Sequence, residues 1–308
     1  MMTKSGFIAL LGRPNAGKST LLNALLQEKI ALISHKANAT RKTLKGIVPF
    51  SDAQGVACQM IFVDTPGLSE PQKLLDRAMQ LESARALKTC DLCVFVASVH
   101  ENLQGYQDFL TLCGDKPHIV ALNKIDTLTH AQLLAKIQPY QAYNTAFSAL
   151  VPLSATKCKN LEGLLQEIAK LLPCAPFYYD SELLSDAQTK EIYKEMIREQ
   201  IFAHLSQEIP YASDVLITRF IQEPQLDRIH AQIIVEKESQ QKMVVGKGAW
   251  VIKKISKQAR LNMQAFGGKK VFLRLEVVVC KNWSQRQDQL KKMGYVVEWG
   301  PPSLISNK

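Results

Sequence analysis

No apolar run in this chain is long enough to span a bilayer, which excludes a protein anchored by a membrane-spanning helix. No secretory leader is evident either. Met1-Met2-Thr3-Lys4-Ser5-Gly6 passes straight into a strand-like segment, so a cytosolic protein is expected. The six histidines form no metal-spaced cluster, and the seven cysteines are odd in number and scattered. Cys90-Asp91-Leu92-Cys93 has redox or zinc spacing, but no second pair completes a tetrahedral site. It also opens the apolar run 93–97, where a free cysteine packs as a small hydrophobe. Internal repeats are absent. Positive charge, by contrast, is plentiful: the net charge is +10 over 308 residues, which favours an anionic partner, either nucleic acid or a membrane surface. Hydrophobic residues at 46% and charged residues at 21% describe a soluble globular chain long enough for two domains.

The first part alternates short apolar strands (7–11, 60–63, 93–97, 118–122 and 149–153) with helical segments at 18–26 and 161–171. That order predicts an α/β domain with a mostly parallel sheet covered by helices on both faces. Pro173-Cys174-Ala175-Pro176 breaks the pattern, and 177–186 reads as an irregular linker. A long amphipathic helix at 187–207 follows, then strands at 214–221 and 229–236, a glycine turn at Gly246-Lys247-Gly248, a helix at 250–266 and a strand at 270–279. The second part is therefore expected to be a smaller α+β unit of order α-β-β-α-β. The divisions are 1–173, a linker at 174–186, a second domain at 187–281, and a helix and tail at 282–308.

Gly12-Arg13-Pro14-Asn15-Ala16-Gly17-Lys18-Ser19 fits G-x-x-x-x-G-K-S between a strand and a helix, with Thr20 next. Such a loop curls its N–H groups around a β-phosphate at the positive end of the following helix. Lys18 supplies charge to the β- and γ-phosphates, and Ser19 is a candidate Mg²⁺ ligand. Asp64-Thr65-Pro66-Gly67 follows a strand; Asp64 is placed to hold Mg²⁺ through a water, and the Gly67 N–H to sense a γ-phosphate. Thr40 lies between them in a polar segment without clear periodicity, where a mobile loop could carry its hydroxyl to Mg²⁺. Asn123-Lys124-Ile125-Asp126 names the base. A carboxylate beside a purine pocket accepts from guanine N1 and N2, and a buried one would be left unpaired by adenine. Ser154-Ala155-Thr156 ends the last strand, where the Ala155 N–H could meet guanine O6. No second phosphate loop is present.

Residues 237–274 hold ten Lys or Arg against one acid, Glu238. Ordinary solvated faces mix both signs. Concentration around Gly246, Lys247 and Gly248, continuing through Lys253, Lys254 and Lys257, suggests an anion track for a single-stranded RNA backbone. Trp250 could stack on a base, whereas Ile252 and Ile255 at helical spacing read as core.

These pieces, in this order, resemble a translation-factor-class GTPase. G-R-P-N-A-G-K-S-T and D-T-P-G-L resemble the Era family of small ribosome-associated GTPases. The match continues through Ile197-Arg198-Glu199-Gln200-Ile201, Glu208-Ile209-Pro210-Tyr211 and Ala259-Arg260. The resemblance implies GTP/GDP and Mg²⁺ as ligands and a type II KH second domain with a G-x-x-G loop. It also implies binding to small-subunit ribosomal RNA near its 3′ end and assistance in 30S subunit assembly. Partial association with the inner face of the cell membrane is a further implication. The fourth loop position here is Ala249, not Gly, which puts a positive φ or a close phosphate approach in doubt. Leu68 stands where many regulatory GTPases carry a water-orienting Gln, so slow intrinsic hydrolysis is expected. In cation-dependent relatives the Asn equivalent to Asn15 helps bind a potassium ion near the β/γ bridge. A GTPase of tRNA modification and a membrane-surface GTPase using the same basic patch are the alternatives. Nothing in the sequence demands a dimer, and a monomer is expected.

Overall fold

The computed structural model describes residues 2–32, 39–67, 73–180, 183–206 and 208–297. Its first domain runs β1 (Thr3–Leu11), α1 (Lys18–Leu26), β2 (Leu44–Ser51), β3 (Ala57–Asp64), α2 (Leu74–Thr89), β4 (Leu92–Ser98), α3 (Gln104–Cys113), β5 (His118–Asn123), α4 (His130–Ile137), β6 (Ala149–Pro152) and α5 (Leu161–Leu171). The sheet order is β2-β3-β1-β4-β5-β6, with β2 antiparallel to β3 and the remaining pairs parallel. Every residue of β4 is buried, as a central strand covered on both faces requires. Alternate residues of β1 face opposite layers. Ile8 and Leu10 pack with Leu21 and Leu22 of α1, whereas Ala9 and Leu11 pack with Tyr106 and Phe109 of α3. Cys90 and Cys93 are buried in that second layer, as small apolar side chains.

The edge strand β2 escapes sequence reading because Pro49 interrupts an otherwise apolar segment. Proline has no ladder N–H, so an edge is where a sheet accommodates it. The linker is strapped to the same side of the sheet. Gln59 on β3 donates to the Tyr179 carbonyl at 2.8 Å and accepts from the Tyr178 and Tyr179 amides, and the Ile47 N–H donates to the Leu184 carbonyl.

The second domain comprises α6 (Thr189–His204), α7 (Ile209–Ala212), β7 (Asp214–Gln222), β8 (Leu226–Val235), α8 (Glu238–Val245), α9 (Trp250–Gly267), β9 (Lys270–Val279) and α10 (Gln287–Lys292). β8 is central, antiparallel to β7 and parallel to β9. Helix α6 is shorter than the 187–207 expectation, and Gln207 lies outside the described residues. The larger difference is α8. A helix, rather than a strand, leads directly into the Gly246 loop, giving β-α-α-β around it. Its sequence, Glu238-Ser239-Gln240-Gln241-Lys242-Met243-Val244-Val245, buries only Gln240 and Val244, too few apolar positions to reveal a helical period.

Candidate nucleotide and nucleic-acid sites

The phosphate loop joins β1 to α1. A Cβ on Gly17 (φ 104°) would stand 2.3 Å from the Asn123 amide nitrogen, so only glycine lets the loop lie against the base-reading strand. Lys18 is buried, with Nζ donating to the Gly12 and Arg13 carbonyls at 3.1 Å each. Burial pushes its pKa down, with Asp64 and Glu101 opposing. Arg13 pairs instead with Asp108 at 3.2 Å, turning its charge away from the loop interior. Asn15 takes a positive φ of 64°, and Thr20 continues the first turn of α1.

Ser19, Thr40 and Asp64 meet on one side of this loop. The Ser19 hydroxyl donates to Asp64 Oδ2 at 2.7 Å and lies 2.8 Å from Thr40 Oγ1. Because the single Ser19 proton goes to the carboxylate, Thr40 is the donor in the second bond. The other carboxylate oxygen, Asp64 Oδ1, is buried and has no hydrogen-bond partner among the described residues. Burial in this position raises the Asp64 pKa to about 6. A buried, half-satisfied carboxylate beside two hydroxyls is a hard-oxygen set that suits Mg²⁺. Thr65 donates to the Leu10 carbonyl at 2.7 Å, and Ser83 of α2 donates to the Pro66 carbonyl at 3.0 Å. Gly67 comes so close to the phosphate loop that a Cβ there would reach 2.8 Å from the Pro14 nitrogen. Leu68 lies outside the described residues.

Asn123 and Lys124 interlock with the loop. Asn123 donates to the Ala16 carbonyl at 3.0 Å and accepts from the Ala155 amide at 3.0 Å, so that amide is engaged by Asn123. Lys124 reaches the Asn15 carbonyl at 2.7 Å. Asp126 accepts the Ser154 hydroxyl at 2.6 Å, which orients its carboxylate. It is exposed, where the sequence argument takes it as buried. It stands on a short 3-10 turn, Ile125–Thr127, at the rim.

In the second domain, Gly246 (φ 72°), Gly248 (φ 60°) and Ala249 (φ 61°) all take positive φ. Ala249 therefore adopts the conformation its methyl disfavours, at a cost of about 1–2 kcal/mol. Lys247, Lys253, Lys254 and Lys257 are exposed around this loop and the first turns of α9. Trp250 is 63% exposed, with Lys254 Nζ 5.1 Å from its ring centroid. Ile255 is core as expected, but Ile252 is only half-buried. Lys269 is drawn out of the basic track by its 2.8 Å ion pair with buried Asp227.

One group of residues escapes sequence reading. Arg41, Lys194, Arg198, Asp214 and Tyr295 are all buried together at the junction of the two domains. Arg198 alone carried a signal: it lies in the 197–201 stretch of the family resemblance, a charge among Ile197, Ile201 and Phe202 on α6.

Comparison with known proteins agrees with this arrangement. Residues 7–124 match a family model described as a 50S ribosome-binding GTPase, and residues 208–284 match that of a KH domain. The chain is 55% identical over 295 residues to GTPase Era of Helicobacter pylori (strain P12), spanning 96% of this chain and 98% of that protein. It is 43% identical over 290 residues to GTPase Era of Campylobacter jejuni subsp. jejuni serotype O:23/36 (strain 81-176), spanning 94% and 98%. An Era variant from Aquifex aeolicus bound to GDP·AlF4⁻ superposes with TM-score 0.90 at 30% identity, over 96% of this chain and 100% of that one. A complex of Era with MgGDPNP and nucleotides 1506–1542 of 16S ribosomal RNA gives TM-score 0.89 at 30% identity over the same shares. Matched along nearly its whole length by these relatives, the chain belongs to the Era family of GTPases.

Proposed function

We propose that this GTPase is a switch that binds small-subunit ribosomal RNA near its 3′ end and assists assembly of the 30S subunit. The division of labour is a GTPase domain at 1–173, a linker at 174–186, an RNA-binding domain at 187–281 and a C-terminal helix and tail at 282–308. The observation that carries the RNA assignment is the exposed basic face around Gly246, Lys247, Gly248 and Trp250. It sits on a chain that matches, over 96% of its length, a relative solved with both MgGDPNP and 16S ribosomal RNA nucleotides.

In this reading Gly12 to Ser19 and Thr20 cradle the phosphates, and Lys18 with the N-terminus of α1 neutralises their charge. Asp126, oriented by Ser154, reads guanine, while Asn123, Lys124 and Ala155 brace the pocket. Ser19, Thr40 and, through a water, Asp64 would hold Mg²⁺, which would supply positive charge against the phosphates. Gly67 offers its N–H to the γ-phosphate and, with Thr40, registers its presence or loss. Asn15 would hold a potassium ion, which would supply positive charge for hydrolysis in place of a glutamine. The chain works as a monomer.

Its site of action is the cytoplasm; no helix among the described residues is long and apolar enough to cross a membrane. The exposed lysines give it a secondary peripheral address on anionic lipid, which salt-sensitive binding to phosphatidylserine vesicles would reveal. Crosslinking in cells, followed by sequencing of bound RNA in the GTP and GDP states, tests the main reading. Enrichment of the 3′ region of small-subunit ribosomal RNA is expected. If neither state enriches it, the ribosomal assignment fails and the GTPase alone survives.

A further inference from the structure

Thr40 is held between two residues that the second domain grips. On one side, Arg198 Nη2 of α6 donates to the Ala39 carbonyl at 2.8 Å. On the other, Arg41 donates to the carbonyls of Ser213 and Tyr211 at 2.8 Å each and of Pro210 at 3.2 Å. Asp214 lies between the two guanidiniums, 3.4 Å from Arg198 Nε and 3.8 Å from Arg41 Nη1. Tyr295 donates to the same carboxylate at 2.6 Å, and Lys194 stands 3.9 Å away. Arg41, Arg198, Lys194 and Asp214 are all buried. Burying so many charges is a weak way to gain stability, because each must be desolvated; the best-attested use of such a cluster is to fix one arrangement against others. What it fixes here is the backbone on both sides of Thr40.

We propose that Arg198 and Asp214, in the RNA-binding domain, are positioning residues for the GTPase site: by gripping Ala39 and Arg41 they set Thr40 2.8 Å from Ser19, ready for Mg²⁺ and γ-phosphate. This rests on the assignment of Thr40 as a Mg²⁺ ligand. The second domain thereby contributes to the GTP state before any RNA is bound. A nucleotide that engages Thr40 feels the grip, and GDP, which lacks the γ-phosphate, does not. Affinity for the triphosphate state is coupled to these two residues and affinity for GDP is not.

The test is titration of the full chain with Mg·GDPNP and with Mg·GDP. Arg198→Lys keeps a cation beside Asp214 but loses the planar fork that reaches Ala39. Its affinity for GDPNP should fall about tenfold while its affinity for GDP stays within about twofold. Asp214→Asn, which keeps the size of the side chain, should show the same split if Arg198→Lys fails to fold. Equal changes in both affinities, or no change in either, would overturn the proposal. Thr40→Ala serves as the control on the underlying reading. If it does not weaken GDPNP selectively, the assignment of Thr40 fails. If it does and neither positioning variant follows it, only the inference drawn from the second domain fails.

Discussion

Arg198 donates to the Ala39 carbonyl at 2.8 Å across 159 positions of chain, tying the second domain to the residue beside Thr40. A second bond from the opposite direction, Arg41 to the Ser213 carbonyl, spans 172 positions. The segment that carries Thr40 in one domain is thus held partly by the other.

Asp214 anchors this junction, and its pH dependence follows from its surroundings. Burial alone would raise its pKa, but Lys194, Arg41 and Arg198, with the Tyr295 hydroxyl, outweigh burial and hold it well below the usual carboxylate range. A carboxylate depressed in the folded state contributes stability above its unfolded pKa of about 3.9 and loses it as pH falls below that value. Asp214→Asn should lower stability at pH 7 by about 3 kcal/mol, since it takes the counter-charge from buried Arg41 and Lys194, while Arg198 keeps Glu195 at 2.8 Å. Denaturant melts of both proteins between pH 7 and pH 3 check this, with the gap between them closing towards the acid end.

Asp126→Asn should move preference from guanosine to xanthosine triphosphate. The amide retains an acceptor for the Ser154 hydroxyl, so the rim keeps its shape, but it presents a donor to the group at C2. GTP affinity should fall by at least about a hundredfold, and XTP affinity should rise in its place. Competition binding with the two nucleotides measures both shifts.

Ala249→Gly should stabilise the second domain. Removing the methyl relieves left-handed strain at φ 61°, partly offset by greater freedom in the unfolded chain, for a net gain of about 0.5–1 kcal/mol. Thermal melts read the gain directly. RNA affinity should be unchanged or slightly improved, because the loop already holds the backbone shape that glycine would take.

Replacing potassium by sodium should slow GTP turnover, and Asn15→Ala should abolish the difference between the two salts. Phosphate release at matched ionic strength tests both parts. Equal turnover in both salts for the unaltered chain would remove the potassium ion from the mechanism.

The parts of the site readable from sequence are those set by local chemistry. Gly17, Lys18 and Ser19 are neighbours in the chain and near neighbours in the loop. Asn123 and Asp126 likewise need only a strand end to place them. Strand β4, Leu92–Ser98, announced itself through the apolar run 93–97. The features that escaped depend on distant partners or short elements. Helix α8 buries only two of its eight residues, and β2 carries a proline that only an edge tolerates. Arg41 and Asp214 look like ordinary surface charges until the fold brings positions 41, 198 and 214 together. Ala249 reads as a damaged G-x-x-G motif, yet the backbone there takes the glycine-like conformation regardless.

The central claim is that one chain links GTP to RNA through the junction around Arg198. Its most direct test is the affinity of the full chain for a 3′ fragment of small-subunit ribosomal RNA, measured with Mg·GDPNP and with Mg·GDP at fixed salt. The account predicts binding about tenfold tighter with GDPNP, and a difference that shrinks in Arg198→Lys. Identical RNA affinity in the two nucleotide states would contradict it.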